Sequence, residues 1–460
     1  MVRLFKHYIP HAVLLLGLFD FVLLAGAAEL GWRVRAGQIG LDLGTLNRQW
    51  ELTGFAVIML TAMISVGVYG SDSLRSLRYA GARLLVAISL GTIAISFIDW
   101  SLRGGHYWRS TLAYAMAAAV VFLVANRLIV GGVLGAHAFR RRVLVLGAGH
   151  RADRLRQLGE RPEAGFAIVG YIGMSDAKPV IDEAINRSAI HNLKRFVENL
   201  GVSEVVLALE ERRNSLPLSD LLRIKTAGVH VNDFSSFIER ETGRVDLDTV
   251  NPSWLIFSDG FSSGRAVSSV AKRLFDIAAS SVLLALTVPL IVLFALLVKL
   301  DSKGPAFFRQ LRVGLYGQPF YVLKLRSMRT DAETAGAQWA CKDDPRITRI
   351  GKFIRKVRID ELPQTWSVLK GEMSFVSPRP ERPEVVADLE DKLPYYAERH
   401  MVKPGITGWA QINYPYGASI EDSRHKLEYD LYYAKNYTPF LDLLIILQTL
   451  RVVLWREGAR

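Results

Sequence analysis

Residues 272–299 read KRLFDIAASSVLLALTVPLIVLFALLVK. A charged lead, Lys272-Arg273-Leu-Phe-Asp276, opens an apolar run that reaches Val298, long enough for the roughly 20 residues a helix needs to cross a hydrocarbon core. Crossing would carry everything after Lys299, the most basic part of the chain, to the far side, against the preference of Lys and Arg for the cytoplasmic face. Pro289 stands in the middle of the run. It removes one helical hydrogen bond and crowds the preceding turn, so a kink is expected there. A kinked hairpin over about 274–298 that enters and leaves by the same face satisfies both facts; a straight fifth span is the alternative.

Towards the N-terminus lie four more apolar stretches, Val13 to Gly31, Gly54 to Gly70, Ala82 to Ile98 and Leu112 to Gly135, each near the length of a spanning helix. The first carries Asp20 and Glu29 and lacks a small-residue cleavage context, so it reads as a retained span and not a signal peptide. Arg3, Lys6, Arg75, Arg78, Arg83 and Arg140 to Arg142 would flank the spans on one side, and Arg33, Arg35, Arg48, Arg103 and Arg109 on the other. The first set is larger, which puts both ends of this bundle in the cytoplasm. Asp20 and the Asn126–Arg127 pair fall inside spans, as a polar pathway or as glue between helices.

The composition agrees. At 460 residues, two or three domains of roughly 150 residues are expected. With 50% hydrophobic and 22% charged residues, a disordered or fibrous chain is excluded. Lys plus Arg number 57 against 44 Asp plus Glu; the usual partners of such a surplus are nucleic acid, anionic lipid or phosphorylated substrates. The single cysteine, Cys341, rules out an internal disulfide and a Cys-rich metal site, and fits soluble parts in a reducing compartment.

After the fourth span comes Arg142-Val-Leu-Val-Leu-Gly147-Ala-Gly149-His-Arg-Ala152, a buried-strand run entering a Gly-x-Gly-x-x-Ala turn and a helix. Further strand runs at Phe166 to Ile172, Val202 to Leu209 and Gly228 to Val231 alternate with helical patterns at Ile185 to Leu200 and Leu218 to Ala227, which predicts a doubly wound parallel sheet. Gly147 and Gly149 would let backbone N–H groups approach a nucleotide phosphate. The carboxylate expected about 20 residues on is missing near Ile168 to Tyr171, and Asp176 comes too late. The turn is therefore either a nucleotide seat or a packing device.

A Ser/Gly-rich joint, Ser258 to Ser269, leads into the run quoted first. Beyond it, Phe307 to Met328 reads as two strands around a Gly-rich turn, with Lys324 and Arg326 alternating as phosphate contacts. Ile354-Arg355-Lys-Val-Arg358-Ile-Asp360-Glu361-Leu-Pro363-Gln364 then enters a helix with Trp366 and Leu369 that ends near Gly371. Pro363 belongs in a first helical turn, placing Asp360 and Glu361 at an electropositive helix end. A carboxylate there is expected to stay ionised at neutral pH, as a nucleophile or Mg²⁺ ligand beside phosphate; a plain helix cap is the alternative. Pro378-Arg379-Pro380 clamps an arginine between rigid residues, and Lys403-Pro-Gly-Ile-Thr-Gly408-Trp409 supplies a further Gly/Pro turn. The stretch Phe440 to Trp455 is either an interfacial helix or core.

Pro289, Lys324-Leu-Arg326-Ser-Met328, Asp360-Glu361-Leu-Pro-Gln364, Leu369 to Val376, Pro378-Arg379-Pro380 and Lys403 to Gln411, in this order, resemble the bacterial sugar transferase family of monotopic phosphoglycosyl transferases. The resemblance covers Lys272 to about Trp455, and the four spans plus α/β domain look like that family's long form, the exopolysaccharide polyprenyl glycosylphosphotransferases. It implies a membrane protein with a four-helix transmembrane bundle (1–138), a Rossmann-like α/β domain (139–257), a linker (258–271) and an α+β catalytic domain (272–460) carrying a re-entrant helix. It also implies a UDP-hexose donor, a polyprenol phosphate acceptor, Mg²⁺, membrane lipids as surroundings, no nucleic acid, and room for a homodimer in the bacterial inner membrane. Carried over by position, the nucleophile falls on Asp360 with Glu361 beside it, both also metal ligands, the phosphate-binding cations on Lys324, Arg355 and Arg379, and a further site carboxylate on Asp430.

Two departures stand out: Val288 replaces the usual Ser before the helix-breaking proline, with Thr287 one place earlier, and Arg358-Ile359 replaces Ser-Leu ahead of the acidic pair. The implied reaction transfers a hexose 1-phosphate through an aspartyl-phosphosugar, releases UMP and initiates exopolysaccharide assembly, with glucose and galactose as the sugars expected. Two rival classes are an NAD-dependent nucleotide-sugar dehydratase or epimerase and a non-catalytic assembly scaffold. The first needs a Tyr-x-x-x-Lys pair, and no lysine in the chain has Tyr four places before it. The second has no use for Asp360 beside Arg379.

Overall fold

The computed structural model describes residues 2–4, 7–9, 11–40, 48–69, 77–101, 109–133, 140–161, 164–174, 180–210, 216–250, 266–332, 344–415, 417 and 419–455. Lys6, Arg75, Arg103, Asp176, Cys341 and residues 258–265 of the Ser/Gly-rich joint lie outside them. The chain forms two compact units, Met1–Thr249 and Val250–Arg460.

In the first unit a short antiparallel pair, β1 (Val2–Leu4) and β2 (His7–Ile9), precedes α1 (His11–Ile39), α2 (Gln49–Val66), α3 (Leu77–Ser101) and α4 (Arg109–Val133). All four helices are long and apolar enough to cross a membrane. Helix α1 packs against α2 and α4, and α3 against the same two. Leu24, Phe55, Met59, Met63, Ile88 and Leu123 fill the space between them, while Leu18, Phe19, Val22, Ile93, Phe97 and Val121 face outward. An outer surface this apolar calls for lipid, so the chain is a membrane protein.

Inside this group Asp20 is fully buried, and both its oxygens are taken. Asn126 Nδ2 donates to Oδ1 at 2.8 Å, Arg127 Nη2 to Oδ2 at 2.6 Å and the Tyr69 hydroxyl to Oδ2 at 2.7 Å. A carboxylate with its lone pairs occupied by three residues of the same bundle has none left for a translocated ion. Of the two sequence readings, glue is the one realised.

The rest of the unit is a parallel sheet: β3 (Arg141–Leu146), α5 (His150–Gly159), β4 (Phe166–Gly173), β5 (Ile185–Asn186), α6 (Leu193–Asn199), β6 (Glu204–Leu207), α7 (Leu218–Thr226), β7 (His230–Asp233) and α8 (Phe234–Thr242), in strand order β5-β4-β3-β6-β7. Strand alternation divides the core. Val143 and Val145 face Leu155, Phe234 and Phe237, whereas Leu144 and Leu146 face Leu193, Val197 and Ile224 on the opposite side. The helix expected from Ile185 begins only at Leu193, because Asn192 caps it by accepting from Arg195 N at 3.0 Å; Ile185 and Asn186 form the edge strand instead.

The second unit opens with α9 (Ala266–Asp301), one helix unbroken at Pro289 where the sequence reading expects a hairpin, and itself long and apolar enough to cross a membrane; the antiparallel hairpin β8 (Phe307–Val313) and β9 (Pro319–Leu325) follows. Then come α10 (Arg349–Lys356), a 3₁₀ turn Ile359–Glu361, α11 (Gln364–Lys370), β10 (Ser374–Val376), α12 (Pro383–Lys392), a second 3₁₀ turn Tyr396–Met401, β11 (Gly405–Thr407), α13 (Trp409–Asn413), α14 (Ile420–Asn436) and α15 (Pro439–Trp455). Strand β10 pairs in parallel with β11, and a Cβ on Gly405 would collide with the Ser377 backbone, so the two motif segments meet main chain to main chain. Leu441 and Ile445 of α15 are buried, which makes that face of the terminal helix core.

Helix α9 is fastened to this unit at both ends. Near its start Lys272 Nζ donates to Asp442 at 2.6 Å and to the Val376 carbonyl at 2.9 Å, Arg273 donates to the Val368 and Leu369 carbonyls, and Asp276 accepts from Phe375 N at 3.1 Å. At its end Asp301 accepts from Ile350 N at 3.0 Å, and Phe294 stacks on Phe353 at 5.8 Å. Between them Val282, Leu286, Val288 and Val292 are exposed.

The Asp20 cluster is testable. Arg127→Met leaves a buried carboxylate without its cation and should lower stability by about 3–5 kcal/mol, whereas Asp20→Leu combined with Arg127→Met should regain most of that loss, read as unfolding midpoints in detergent.

Candidate active site

Asp360 lies in the 3₁₀ turn between α10 and α11. The residues on either side of the acidic pair, Ile359 and Leu362, pack onto Ile291 and Val298 of α9 together with Leu325 and Ile354, so the turn is seated on the long apolar helix. Arg358 enters the turn with a φ of 60°, a left-handed conformation that a large side chain adopts only under local constraint. Pro363 caps α11 as the sequence predicts, and Gly371 closes it.

Hairpin β8–β9 supplies the facing wall. Its pairs Phe308–Lys324, Gln310–Val322 and Arg312–Phe320 share one face, which turns Lys324 inward. Burial, and then Arg379 and Arg312 nearby, pull the Lys324 amine down to about 8, against the opposing pull of Glu361 and Asp360.

The two adjacent carboxylates are driven apart. Asp360 is pushed up to about 6, first by burial and then by the charge of Glu361, which outweigh Lys324, Arg355 and Arg358. Its proton affinity is raised, yet the anion still predominates at pH 7, in keeping with the expected ionised carboxylate. Burial would raise Glu361 too, but Arg379 Nη2 donates to its Oε1 at 2.6 Å, and with Lys324 and Arg358 it holds the group down at about 2. Arg358 Nη1 reaches the same oxygen at 3.4 Å. Asp360 Oδ1 is buried with no hydrogen-bond partner. A free, desolvated carboxylate oxygen among cations can attack an electrophilic phosphorus or ligate a hard cation. The described residues hold no group of three His, Cys, Asp or Glu side chains, so a Mg²⁺ ion here would rest on Asp360, Glu361 and substrate phosphates, the usual arrangement for that ion.

Two expected site residues sit elsewhere. Arg326 lies just past the end of β9 and is buried, with Nη2 donating to the Ser302 carbonyl at 2.7 Å and Nη1 to the Lys303 carbonyl at 3.1 Å. It caps the C-terminus of α9, and these carbonyls leave it no freedom to meet phosphate. Asp430 is also buried: its Oδ2 accepts from Arg399 Nε at 3.0 Å and Nη2 at 2.7 Å, so it faces an internal arginine and not an open site. Arg355, in the last turn of α10, remains near enough to act on Asp360. Arg399 and its neighbour Tyr396 have no sequence signal, since their partners are scattered along the chain.

In the α/β domain the expected nucleotide turn is closed from within. A Cβ on Gly147 would strike the Ala208 carbonyl, and Glu210 Oε1, adjacent to Gly149, accepts from His150 N at 2.8 Å. The crevice at the carboxyl ends of β3 and β6 is where a doubly wound sheet binds ligands, and here a carboxylate of the chain itself occupies the helix N-terminus. The glycines allow β3 and β6 to approach closely.

Two family profiles match: "Bacterial sugar transferase" over residues 267–456 and "CoA-binding domain" over 65–223. Among curated relatives, the UDP-N-acetylgalactosamine-undecaprenyl-phosphate N-acetylgalactosaminephosphotransferase of Aeromonas hydrophila is 42% identical over 52% of this chain and 56% of its own length. The undecaprenyl-phosphate glucose phosphotransferase of Komagataeibacter xylinus is 44% identical over 69% of this chain and 60% of its own. In both the match spans under two thirds of the relative. The UDP-glucose:undecaprenyl-phosphate glucose-1-phosphate transferase of Xanthomonas campestris pv. campestris is 29% identical over 99% of this chain and 96% of its own length. With the motifs assembled around Asp360 and these matches along the chain, the protein belongs to the bacterial sugar transferase family.

Proposed function

We propose that the protein transfers a hexose 1-phosphate from a UDP-sugar to a polyprenol phosphate at the cytoplasmic face of a bacterial inner membrane. The observation that carries this reading is the unpartnered Asp360 Oδ1, next to a Glu361 kept ionised by Arg379 and surrounded by Lys324, Arg355 and Arg358. In the first step the Asp360 carboxylate attacks the sugar-bearing phosphorus; the bond from that phosphorus to the bridging oxygen breaks, and UMP leaves with the electron pair. In the second step an oxygen of the lipid phosphate attacks the same phosphorus. The acyl–phosphate bond breaks, Asp360 returns as a carboxylate, and polyprenyl-diphospho-sugar departs. Arg379 and Lys324 hold the donor's phosphates. Mg²⁺, when bound by Asp360 and Glu361, would offset diphosphate charge. Taking two anionic substrates in turn avoids crowding all their charge into one site.

The attachment of both ends of α9 to one unit supports a re-entrant course, in which the exposed middle of the helix dips into lipid and returns. On this course Asp360, seated on α9 through Ile359 and Leu362, would lie at the depth of a lipid phosphate. Relatives named for glucose and for N-acetylgalactosamine leave the hexose to be found by a UDP-sugar screen. The Glu210 carboxylate bonded at the helix N-terminus supports a structural role for the α/β domain.

Two measurements test the reading. Asp360→Asn should abolish both UMP release and the phosphosugar adduct seen by intact mass in the wild type; an active Asn variant ends the mechanism. The pH profile of kcat/KM should be bell-shaped. Activity should fall about tenfold per unit below about pH 6, where Asp360 takes up its proton, and again above about pH 8, where Lys324 loses its charge. A flat profile between pH 5 and 7 would remove Asp360 as the titrating nucleophile.

A further inference from the structure

Between Pro378 and Glu381 four consecutive backbone carbonyls each accept a hydrogen bond from a different place. The Pro378 carbonyl takes Gly405 N at 2.8 Å, that of Arg379 takes Arg399 Nη2 at 3.0 Å, that of Pro380 takes Arg312 Nη1 at 3.0 Å, and that of Glu381 takes Val313 N at 3.0 Å. Two of the four residues are prolines, with φ fixed and no N–H, so the backbone bearing Arg379 is set mainly through these oxygens.

The bond from Arg399 differs from the others because its donor is a buried charge. Arg399 is only 6% exposed; Nε and Nη2 donate to Asp430, Nη1 donates to the Tyr396 hydroxyl at 3.0 Å, and its guanidinium lies 5.1 Å from the Tyr396 ring centre. Burying such a pair costs several kcal/mol per ion in desolvation, and an apolar pair of the same volume generally folds as well or better. Stability alone does not explain its presence. What an apolar pair would lack is a rigid donor for the Arg379 carbonyl.

We propose that Arg399 is a positioning residue, locked by Asp430 and Tyr396, which fixes the Arg379 backbone so that its guanidinium meets Glu361 beside Asp360. This rests on the transferase reading above. It gives Asp430 a role in the site through two intermediaries and not by contact with substrate. A displacement of about 1 Å at a reacting centre can cost about 100-fold in rate, so losing this bond should slow chemistry without emptying the site.

The test is single-turnover formation of the phosphosugar adduct by the full-length protein in detergent, followed by intact mass. Arg399→Lys keeps the charge, but one ammonium cannot serve Asp430, Tyr396 and the Arg379 carbonyl together. The expected result is a rate constant lowered about 10- to 100-fold with the full adduct amplitude. In an Arg379→Ala background the same change should slow the step by less than about threefold, because Arg399 acts only through Arg379. A reduced amplitude at an unchanged rate would mean that Arg399 only supports folding, and unchanged kinetics would mean that it does nothing here; either overturns the proposal. Should Arg399→Lys fail to fold, Tyr396→Phe removes a single anchor and is read by the same split between rate and amplitude. Absence of any adduct in the wild type would instead refute the transferase reading, independently of Arg399.

Discussion

The attachment of α9 at both ends is the constraint from which the rest of the second unit follows. Lys272, Arg273 and Asp276 tie its first turns to the segments around Val368, Phe375 and Asp442, while Asp301 and the Arg326 cap tie its last turn to α10 and the end of the hairpin. A helix of 36 residues is about 54 Å long if straight, far more than one hydrocarbon core requires. With both termini held by the same fold, its exposed apolar middle cannot be left in water. The proposed re-entrant course is the arrangement that satisfies both demands. Ile359 and Leu362 rest on this helix, so the turn carrying Asp360 is held against α9 by packed side chains.

Electrostatics then separates two chemically similar neighbours. Glu361 has a hydrogen-bonded guanidinium and stays ionised; Asp360 has cations near but none bonded to its free oxygen, so burial dominates. Their proton affinities lie on opposite sides of the ordinary carboxylate value, as in other sites where two acids divide one task. A bonded partner would lower the nucleophilicity of that Asp360 oxygen by stabilising its lone pairs, which the proposed mechanism needs free. Cations near enough to attract phosphate, yet not bonded to Oδ1, avoid that penalty.

How far the site could be read in the sequence depends on how local each signal is. That Asp360, Glu361, Lys324 and Arg379 come together follows from local signals, because prolines and strand alternation fix their surroundings within a few residues. Alternation misled at Arg326: positions two apart share a face only within a strand, and β9 stops at Leu325, so the next side chain turns to the carbonyls ending α9. The resemblance points to Asp430, but no local pattern points to its partner Arg399, 31 residues away. The two glycines correctly signalled a close backbone approach at Gly147, but the carboxylate that fills the turn comes from Glu210, 60 residues later. Charge is visible in a sequence; which carbonyl or carboxylate it meets is decided by the tertiary fold.

Two buried carboxylate–arginine pairs illustrate how similar chemistry can serve different ends. Arg127 gives Nη1 and Nη2 to Asp20, and Asp20 fills its remaining capacity with Tyr69 and Asn126, so these bonds stay within the group and join helices. Arg399 meets its carboxylate in much the same way but keeps a donor for a backbone carbonyl outside the pair. A closed pair needs only compensation for its own desolvation, and apolar residues would do that as well. An open pair carries a geometric instruction to a third residue, here an arginine between two prolines. In this fold that outward bond, more than burial or charge, separates a pair that holds helices together from one that aims a side chain at Glu361.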